Sequence, residues 1–324
     1  MPKVVVTDYT FSSLEVEQTI VEEAGFDFSC YQCVDVAELM DVCADADAVI
    51  TQFAPVNDEV VSVMQKAKVI VRYGIGYDNV SCETASQKGI PVCNIPDYCI
   101  DEVADHALAF ILATTRQVLA NNEFVVDGNW GLGVSLEKMQ ALSDLTVGVI
   151  GLGRIGREVT ARLLGFKCNV LASDPVISAE EAKTHGCTLM SLDELLATSD
   201  IVSLHCPSTP ETRGMINQKS LGVMKKGAVL INVGRGDLVD LDALTEALQH
   251  GRIGGAALDV FNPEPIAADH PLLGMNNAVV SSHIASCSPK AIKKLRETAA
   301  RLAVSALRGE PLSGVVNGVH GRDA

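Results

Sequence analysis

The stretch that most constrains this chain is a glycine-rich crossing from strand to helix. An apolar run containing Val147, Val149 and Ile150 leads into Gly151-Leu152-Gly153-Arg154-Ile155-Gly156, and a helical segment continues to about Leu164. A second apolar run, Asn169 to Ser173, then ends in Asp174. Each part has a physical task in holding a dinucleotide. Gly151 permits the tight turn, Gly153 lets backbone approach a pyrophosphate, and Gly156 lets helix and strand pack closely. The helix start offers unbonded N–H groups and the positive end of its dipole to the phosphates. Asp174 falls where a carboxylate accepts both hydroxyls of the adenosine ribose, and its charge repels a 2′-phosphate. The pattern therefore favours NAD over NADP.

With 324 residues and 48% hydrophobic content, the chain suits two domains with sizeable cores. A formal charge of −16 argues against nucleic acid or an anionic membrane as partner. No run reaches the ~18–20 apolar residues of a membrane span, and Met1-Pro2-Lys3 leads straight into Val4-Val5-Val6, so neither a span nor a signal peptide is expected. The ten cysteines sit among apolar residues, and Cys30/Cys33 is the one close pair. No disulfide framework, metal site or redox pair is expected, and the reading is a reduced, cytoplasmic protein.

Along the first third, short apolar runs (Val4–Thr7, Ala48–Thr51, Val69–Val71, Pro91–Asn94) alternate with helical patterns (Leu14–Ala24, Glu59–Ala67, Cys82–Lys88). A second series starts at Leu145 and runs through Ile201–Leu204, Ala228–Asn232 and Gly255–Asp259 to Val279–Ser281. Alternation of this kind predicts α/β architecture: two Rossmann-like or flavodoxin-like parallel-sheet domains with a cleft between them. A long helix is predicted from Val103 to about Asn121, and Ser191-Leu192-Asp193-Glu194 fits a capping box. The last helix, from Ser288-Pro289 to about Arg308, is expected to return to the first domain. The boundaries are residues 1–99 plus 285–324 for a substrate domain and 100–284 for a dinucleotide domain.

Open parallel sheets place ligands at the carboxyl ends of strands. Following Val69–Val71, Arg72-Tyr73-Gly74-Ile75-Gly76-Tyr77-Asp78-Asn79 offers glycine-exposed N–H groups that suit a small carboxylate, or merely an ordinary glycine turn. Gln52-Phe53-Ala54-Pro55 would lie on the same edge. In the second half the strand ends carry His205-Cys206-Pro207, then Asn232-Val233-Gly234-Arg235-Gly236-Asp237, then Asp259 through Pro265, and Ser281-Ser282-His283-Ile284. Hydride transfer between nicotinamide and a carbonyl/alcohol pair needs a fixed cation, an acid/base and a group to orient it. Arg235 can bind a carboxylate bidentately. His283 is a residue type that titrates near neutrality. Glu264 is the carboxylate that would favour its imidazolium form.

With these motifs in this order, the chain resembles the D-isomer-specific 2-hydroxyacid dehydrogenases, a family that includes D-3-phosphoglycerate dehydrogenases, hydroxypyruvate/glyoxylate reductases and the C-terminal-binding-protein corepressors. The resemblance rests on Tyr73 through Val80, Gly151 through Gly156 with Asp174, His205-Cys206-Pro207, Asn232 through Gly236, Asp259 through Pro265, and Ser282-His283-Ile284. It implies Arg235, Glu264 and His283 as catalytic residues. NAD would be held by Gly151, Gly153, Arg154, Ile155, Gly156, Asp174, His205, Cys206, Pro207, Val233, Gly234, Asp259 and His283, with Arg154 and Ile155 on the pyrophosphate and Asp259 on the nicotinamide carboxamide. A small anionic 2-oxo or 2-hydroxy acid would meet Tyr73, Gly74, Ile75, Gly76, Arg235 and His283, the amides of Ile75 and Gly76 facing its carboxylate. The resemblance also implies a homodimer joined through the NAD-binding domains, with Trp130 near that contact, and (R)-alcohol products.

Several departures carry weight. Ser281-Ser282 replaces a common Thr-Pro, and Asn262 a common acid; neither is expected to touch the proton chemistry. Ser286-Cys287 replaces the Trp-Tyr pair of the corepressors, which weighs against the alternative of an NAD(H)-sensing binding protein. Glu264 argues against a formate dehydrogenase, whose histidine pairs with glutamine. The chain ends at Ala324, so no regulatory domain of the long phosphoglycerate dehydrogenases is expected. His106 is expected to be structural or interfacial, and Cys206 a packed thiol. Arg72 leaves a second alternative open, a phosphorylated, sulfonated or dicarboxylic substrate, if its side chain turns inward.

Overall fold

The structure, a computed structural model, describes residues 1–320. It divides into two compact units, Met1–Tyr98 with the segment from Ser288 onward, and Cys99–Cys287.

In the first unit five parallel strands run in the order β2-β1-β3-β4-β5: β1 (Lys3–Val6), β2 (Asp27–Cys30), β3 (Ala48–Thr51), β4 (Ile70–Arg72) and β5 (Val92–Cys93). Strand β1 is central enough to pair with both neighbours, Val4 facing Phe28 on one side and Ala48 on the other. Strands covered by helices on both faces read as unbroken apolar runs, which is why β1, β3 and β4 were visible in the sequence. Edge strand β2, Asp-Phe-Ser-Cys, is only four residues long with exposed ends, and the helix Val36–Ala44 follows it, capped by Asp35. Both were missed.

The C-terminal helix, Pro289–Arg308, closes this unit. Ser288 caps it by accepting from the Ala291 N–H at 3.0 Å, proline occupies its first turn, and Gly309 (φ 71°) ends it. Its inner face, Leu295, Ala299, Leu302 and Ala303, joins Val4, Ile50 and Val71 in one core. One ion pair is set into that packing. Arg296 donates from Nε and Nη2 to Glu17 (2.8 and 2.6 Å), Glu17 is 0% exposed, and the Tyr73 hydroxyl donates to the same carboxylate at 3.1 Å.

The second unit is a seven-stranded parallel sheet, β12-β11-β10-β9-β6-β7-β8. Its strands are β6 (Thr146–Ile150), β7 (Asn169–Ser173), β8 (Thr188–Leu189), β9 (Ile201–Leu204), β10 (Val229–Asn232), β11 (Gly255–Leu258) and β12 (Ala278–Val280). Strand order reverses between β6 and β9, which makes the loops after these two strands the switch point where such sheets bind ligands. The expected capping box is present: Ser191 Oγ accepts from the Glu194 N–H and Glu194 Oε2 accepts from the Ser191 N–H. The two-residue edge strand β8 was not foreseen.

The long helix predicted to Asn121 is instead two. Ile100–Thr115 ends where Gln117 turns left-handed (φ 51°), and Val118–Val126 follows. Thr114 and Thr115 turn their hydroxyls back onto the carbonyls of Phe110 and Ile111, and Gln117 donates to the Thr114 carbonyl. Such side-chain bonds compete with continuation of the helix. Helix Val118–Val126 buries none of its residues within the unit, and Val126, Trp130 and Leu136 are 75%, 90% and 73% exposed. Among the described residues no helix is long and apolar enough to cross a membrane.

Replacing Arg296 by methionine strands the Glu17 carboxylate in the core, which costs about 3–5 kcal/mol for a broken buried pair. Thermal denaturation should show this loss, and the double variant Glu17→Gln/Arg296→Met should recover much of it.

Candidate active site

The β6 turn is shaped by its glycines in three different ways. Gly151 has φ +92°, and a Cβ there would fall 2.7 Å from the Cys206 nitrogen, so the β6 and β9 loops touch backbone to backbone. A Cβ on Gly156 would sit 2.0 Å from the Gly151 carbonyl oxygen, which ties the helix to the turn. Gly153 is different: nothing lies within 4 Å of where its Cβ would be. The backbone there is open to an approaching group. Arg154 is exposed, and the N–H groups of Arg154 and Ile155 meet no acceptor among the described residues. Asp174 closes the turn from the end of β7. Its Oδ2 accepts from Leu152 N–H at 2.8 Å and its Oδ1 from Val176 N–H at 2.9 Å. Open amides, an exposed cation and a fixed carboxylate match the pyrophosphate and ribose of NAD.

His205 sits beside this turn. Its Nε2 lies 2.8 Å from Ser203 Oγ, and its Nδ1 is buried without a hydrogen-bond partner. Burial pushes its pKa down to about 4, so the ring is neutral at pH 7. Cys206 is a packed thiol near Met215 (3.7 Å), pushed up to about 11 mainly by burial. All ten cysteines are free.

After β10, the fully buried Asn232 clamps the next turn. Its Oδ1 accepts from Gly234 N–H (3.0 Å) and its Nδ2 donates to the Arg235 carbonyl (2.8 Å). Gly236 has no room for a side chain, because a Cβ would lie 2.0 Å from the Phe261 carbonyl. The Arg235 turn is thereby seated on the loop that carries Glu264. There Glu264 Oε1 accepts from Phe261 N–H at 2.9 Å, and Oε2 lies 2.8 Å from His283 Nδ1. Burial raises the Glu264 carboxyl, but the His283 hydrogen bond and charge, the Phe261 amide and Arg235 outweigh it and hold it below the usual carboxylate range. Arg235, Glu264 and His283, far apart in sequence, are thus gathered at the ends of β10, β11 and β12.

Asp259 is 1% exposed, and its carboxylate is engaged inside the unit by Ser281 Oγ and the amides of Ile284 and Ala285. Ser281, expected to stand apart from the proton chemistry, is therefore bonded to the group that holds the segment after His283. His106 Nε2 lies 3.0 Å from Ser281 Oγ, a structural place for that histidine. Neither Asn232 nor Gly236 was singled out as a site residue, though accepting from the amide two residues on is a known habit of asparagine side chains.

In the glycine turn of the first unit, Tyr73 and Gly74 were expected at the substrate, yet Tyr73 is 1% exposed with its hydroxyl on Glu17, and the Gly74 amide donates to the Arg72 carbonyl at 2.8 Å. Of the four residues Tyr73 to Gly76, Ile75 and Gly76 are the two whose amides meet no acceptor among the described residues. Arg72 is folded onto this turn: a Cβ at Gly74 would coincide with its guanidinium, which also faces the Phe53 ring at 5.8 Å. Asp8 shapes the neighbouring loop by accepting from the amides of Gln52, Phe53 and Ala54.

Residues 108–285 match the family model described as D-isomer specific 2-hydroxyacid dehydrogenase, NAD binding domain. The chain belongs to the D-isomer specific 2-hydroxyacid dehydrogenase family. NAD is the cofactor of that domain, and the site described above fits it. A D-3-phosphoglycerate dehydrogenase of Archaeoglobus fulgidus is 38% identical over 81% of this chain, which spans only 49% of that relative. A glyoxylate reductase of Korarchaeum cryptofilum is 37% identical over 84% of this chain and 83% of its own. Among solved structures, a D-lactate dehydrogenase from Aquifex aeolicus complexed with NAD and lactic acid is 32% identical, with a TM-score of 0.86 over 95% of this chain and 96% of that one. Among the described residues of this family member no group of His, Cys, Asp and Glu could hold a metal ion.

The depressed His205 pKa has a consequence for stability. Between the ordinary histidine value of 6.5 and about 4, the unfolded chain takes up a proton that the folded chain refuses. Stability should fall across that window as pH drops, by about 3 kcal/mol in total. His205→Gln, which keeps a donor for Ser203, should flatten the Tm profile between these pH values.

Proposed function

We propose that this chain is an NAD-dependent oxidoreductase moving a hydride between nicotinamide and C2 of a small 2-oxo or 2-hydroxy acid. The observation that carries this reading is the His283–Glu264 pair at 2.8 Å with Glu264 anchored on the Phe261 amide. NAD supplies the hydride acceptor or donor. In the reductive direction His283, paired at Nδ1, delivers a proton from Nε2 to the carbonyl oxygen, and takes it back in the oxidative direction. Glu264, held ionised, fixes the ring orientation and balances the imidazolium charge. Arg235 binds the substrate carboxylate and polarises the carbonyl beside it, with Asn232 keeping its turn in place.

In the first unit, the amides of Ile75 and Gly76 are proposed as anion donors. An acid with a second negative group, carboxylate, phosphate or sulfonate, stands as the alternative substrate, since the Arg72 guanidinium lies against that turn. We further propose a homodimer through segment 118–136, since it exposes Val118, Leu119, Val125, Val126, Trp130, Leu132 and Leu136.

The deciding assay follows NADH oxidation with glyoxylate, hydroxypyruvate, pyruvate, 2-oxoglutarate, 3-phosphohydroxypyruvate and sulfopyruvate. Turnover with one of these and little with NADPH is expected. Tight NADH binding with no turnover of any would favour the sensing alternative. Replacing His283 by alanine should cost ~10²–10⁴-fold in turnover, the usual worth of a general acid; wild-type turnover would remove His283 from proton transfer. Arg235→Ala should raise KM and lower kcat together. Because Glu264 is held low, the loss of activity from its protonation should set in only below the ordinary carboxylate value of about 4.3, read from the acid limb of kcat/KM. Trp130→Glu should shift the dimer to monomer by light scattering.

A further inference from the structure

We infer that His106 and Ser281 are positioning residues that act through Asp259 to fix the strap 283–285, and with it the place from which His283 presents its proton. The inference rests on the proposed role of His283.

Strands β11 and β12 lie parallel with Leu258 beside Val280, so Asp259 and Ser281 leave the sheet side by side. The ladder continues for two more bonds: Ser281 N–H to the Leu258 carbonyl (3.0 Å) and His283 N–H to the Asp259 carbonyl (2.7 Å). There the backbone departs from the strand, with His283 at φ +57°. A non-glycine residue in this region is strained and persists only where its surroundings hold it. The holder is Asp259. Its carbonyl takes the amide of His283, its Oδ1 takes Ile284 N–H at 2.9 Å and Ser281 Oγ at 2.5 Å, and its Oδ2 takes Ala285 N–H at 2.8 Å. One buried carboxylate therefore fastens the chain on both sides of the strained histidine.

The Ser281 hydroxyl has a single proton. Spent on Asp259 Oδ1, it leaves the oxygen free to accept, and His106 Nε2 stands 3.0 Å away to donate. Nε2 of His106 is also 3.8 Å from Asp259 Oδ1, and its ring packs edge-on to Phe110 at 4.5 Å on the same helix, Ile100–Thr115. The His106 donor locks the hydroxyl rotor toward Asp259. Without it the serine can turn its proton elsewhere, and the buried charge loses one of its three carboxylate donors. An unsatisfied buried charge relaxes its surroundings, and what relaxes here is the strap that aims His283 and keeps its Nδ1 on Glu264. Displacement of a catalytic group by about 1 Å is enough to cost up to ~10²-fold.

A purely structural role, tying the helix to the sheet, predicts something different, and paired variants separate the two. His106→Phe keeps the ring against Phe110 and removes the donor; His106→Gln returns a donor near the Nε2 position. Ser281→Ala removes the linking hydroxyl and Ser281→Thr keeps it. We expect His106→Phe and Ser281→Ala to lower kcat by about tenfold or more at unchanged KM for NADH, with a modest loss of Tm from the lost donor. Gln and Thr should restore kcat, and the double variant should be no worse than either single one. Amide hydrogen exchange on the whole chain gives a readout independent of turnover: Ile284 and Ala285 should exchange faster in the Phe and Ala variants only. Unchanged kcat and exchange in His106→Phe overturns the inference, as does a joint loss of Tm, NADH affinity and kcat that Gln does not repair. Should His283→Ala keep full turnover, the proton-transfer role falls instead, and the exchange data still decide whether the strap is held in this way.

Discussion

An all-parallel sheet delivers the carboxyl end of every strand to one edge, and the second unit is organised by that constraint. The glycine turn follows β6, Asp174 follows β7, and His205 follows β9; the Arg235 turn, Asp259 and the His283 segment follow β10, β11 and β12. Residues as far apart in sequence as Gly151 and Cys206 become neighbours because each ends a strand in the same ladder. No side chain needs to reach far. The cost of parallel pairing, a crossover helix between each pair of strands, supplies the apolar cover that keeps the sheet buried.

Within that frame, buried carboxylates do the local fixing. Glu17 is neutralised bidentately by Arg296 and ties the last helix to the first unit's core. Asp8 and Asp259 are satisfied by runs of backbone amides, at the loop 52–54 and at the strap 284–285. A carboxylate has about four acceptor directions, so one side chain can define a whole irregular turn. Asp174 does the same for the glycine turn, accepting from the amides of Leu152, Val176 and Ile177. Charge in this protein is therefore a device of shape.

Much of this was legible beforehand. Gly151, Gly153 and Gly156 announce three different backbone demands: the tight turn is at Gly151, the close packing at Gly156, and at Gly153 the backbone lies open. The final helix was readable end to end, since Ser288-Pro289 and Gly309 carry the cap chemistry on their own. Less was legible where structure depends on absence of signal: β2 and β8 are short edges with little apolar content, and the break at Gln117 arises from threonine and glutamine side chains that helical periodicity does not register. The burial of the Tyr73 ring was hidden for a related reason, because its partner Glu17 lies 56 residues away.

The sequence by itself determined the chemistry available and its local placement: a dinucleotide turn, an acid after the second strand, and an arginine, a glutamate and a histidine each at a strand end. These are properties of short stretches, set by glycine conformations, caps and apolar period. Only the tertiary structure decided who partners whom. His106 meets Ser281 across 175 residues, Asn232 rather than a charged group holds the Arg235 turn, and Arg72 folds back onto its own glycine turn. Hydrogen-bond partners are chosen by distances of about 3 Å, and distances on that scale exist only once the strands have found their order.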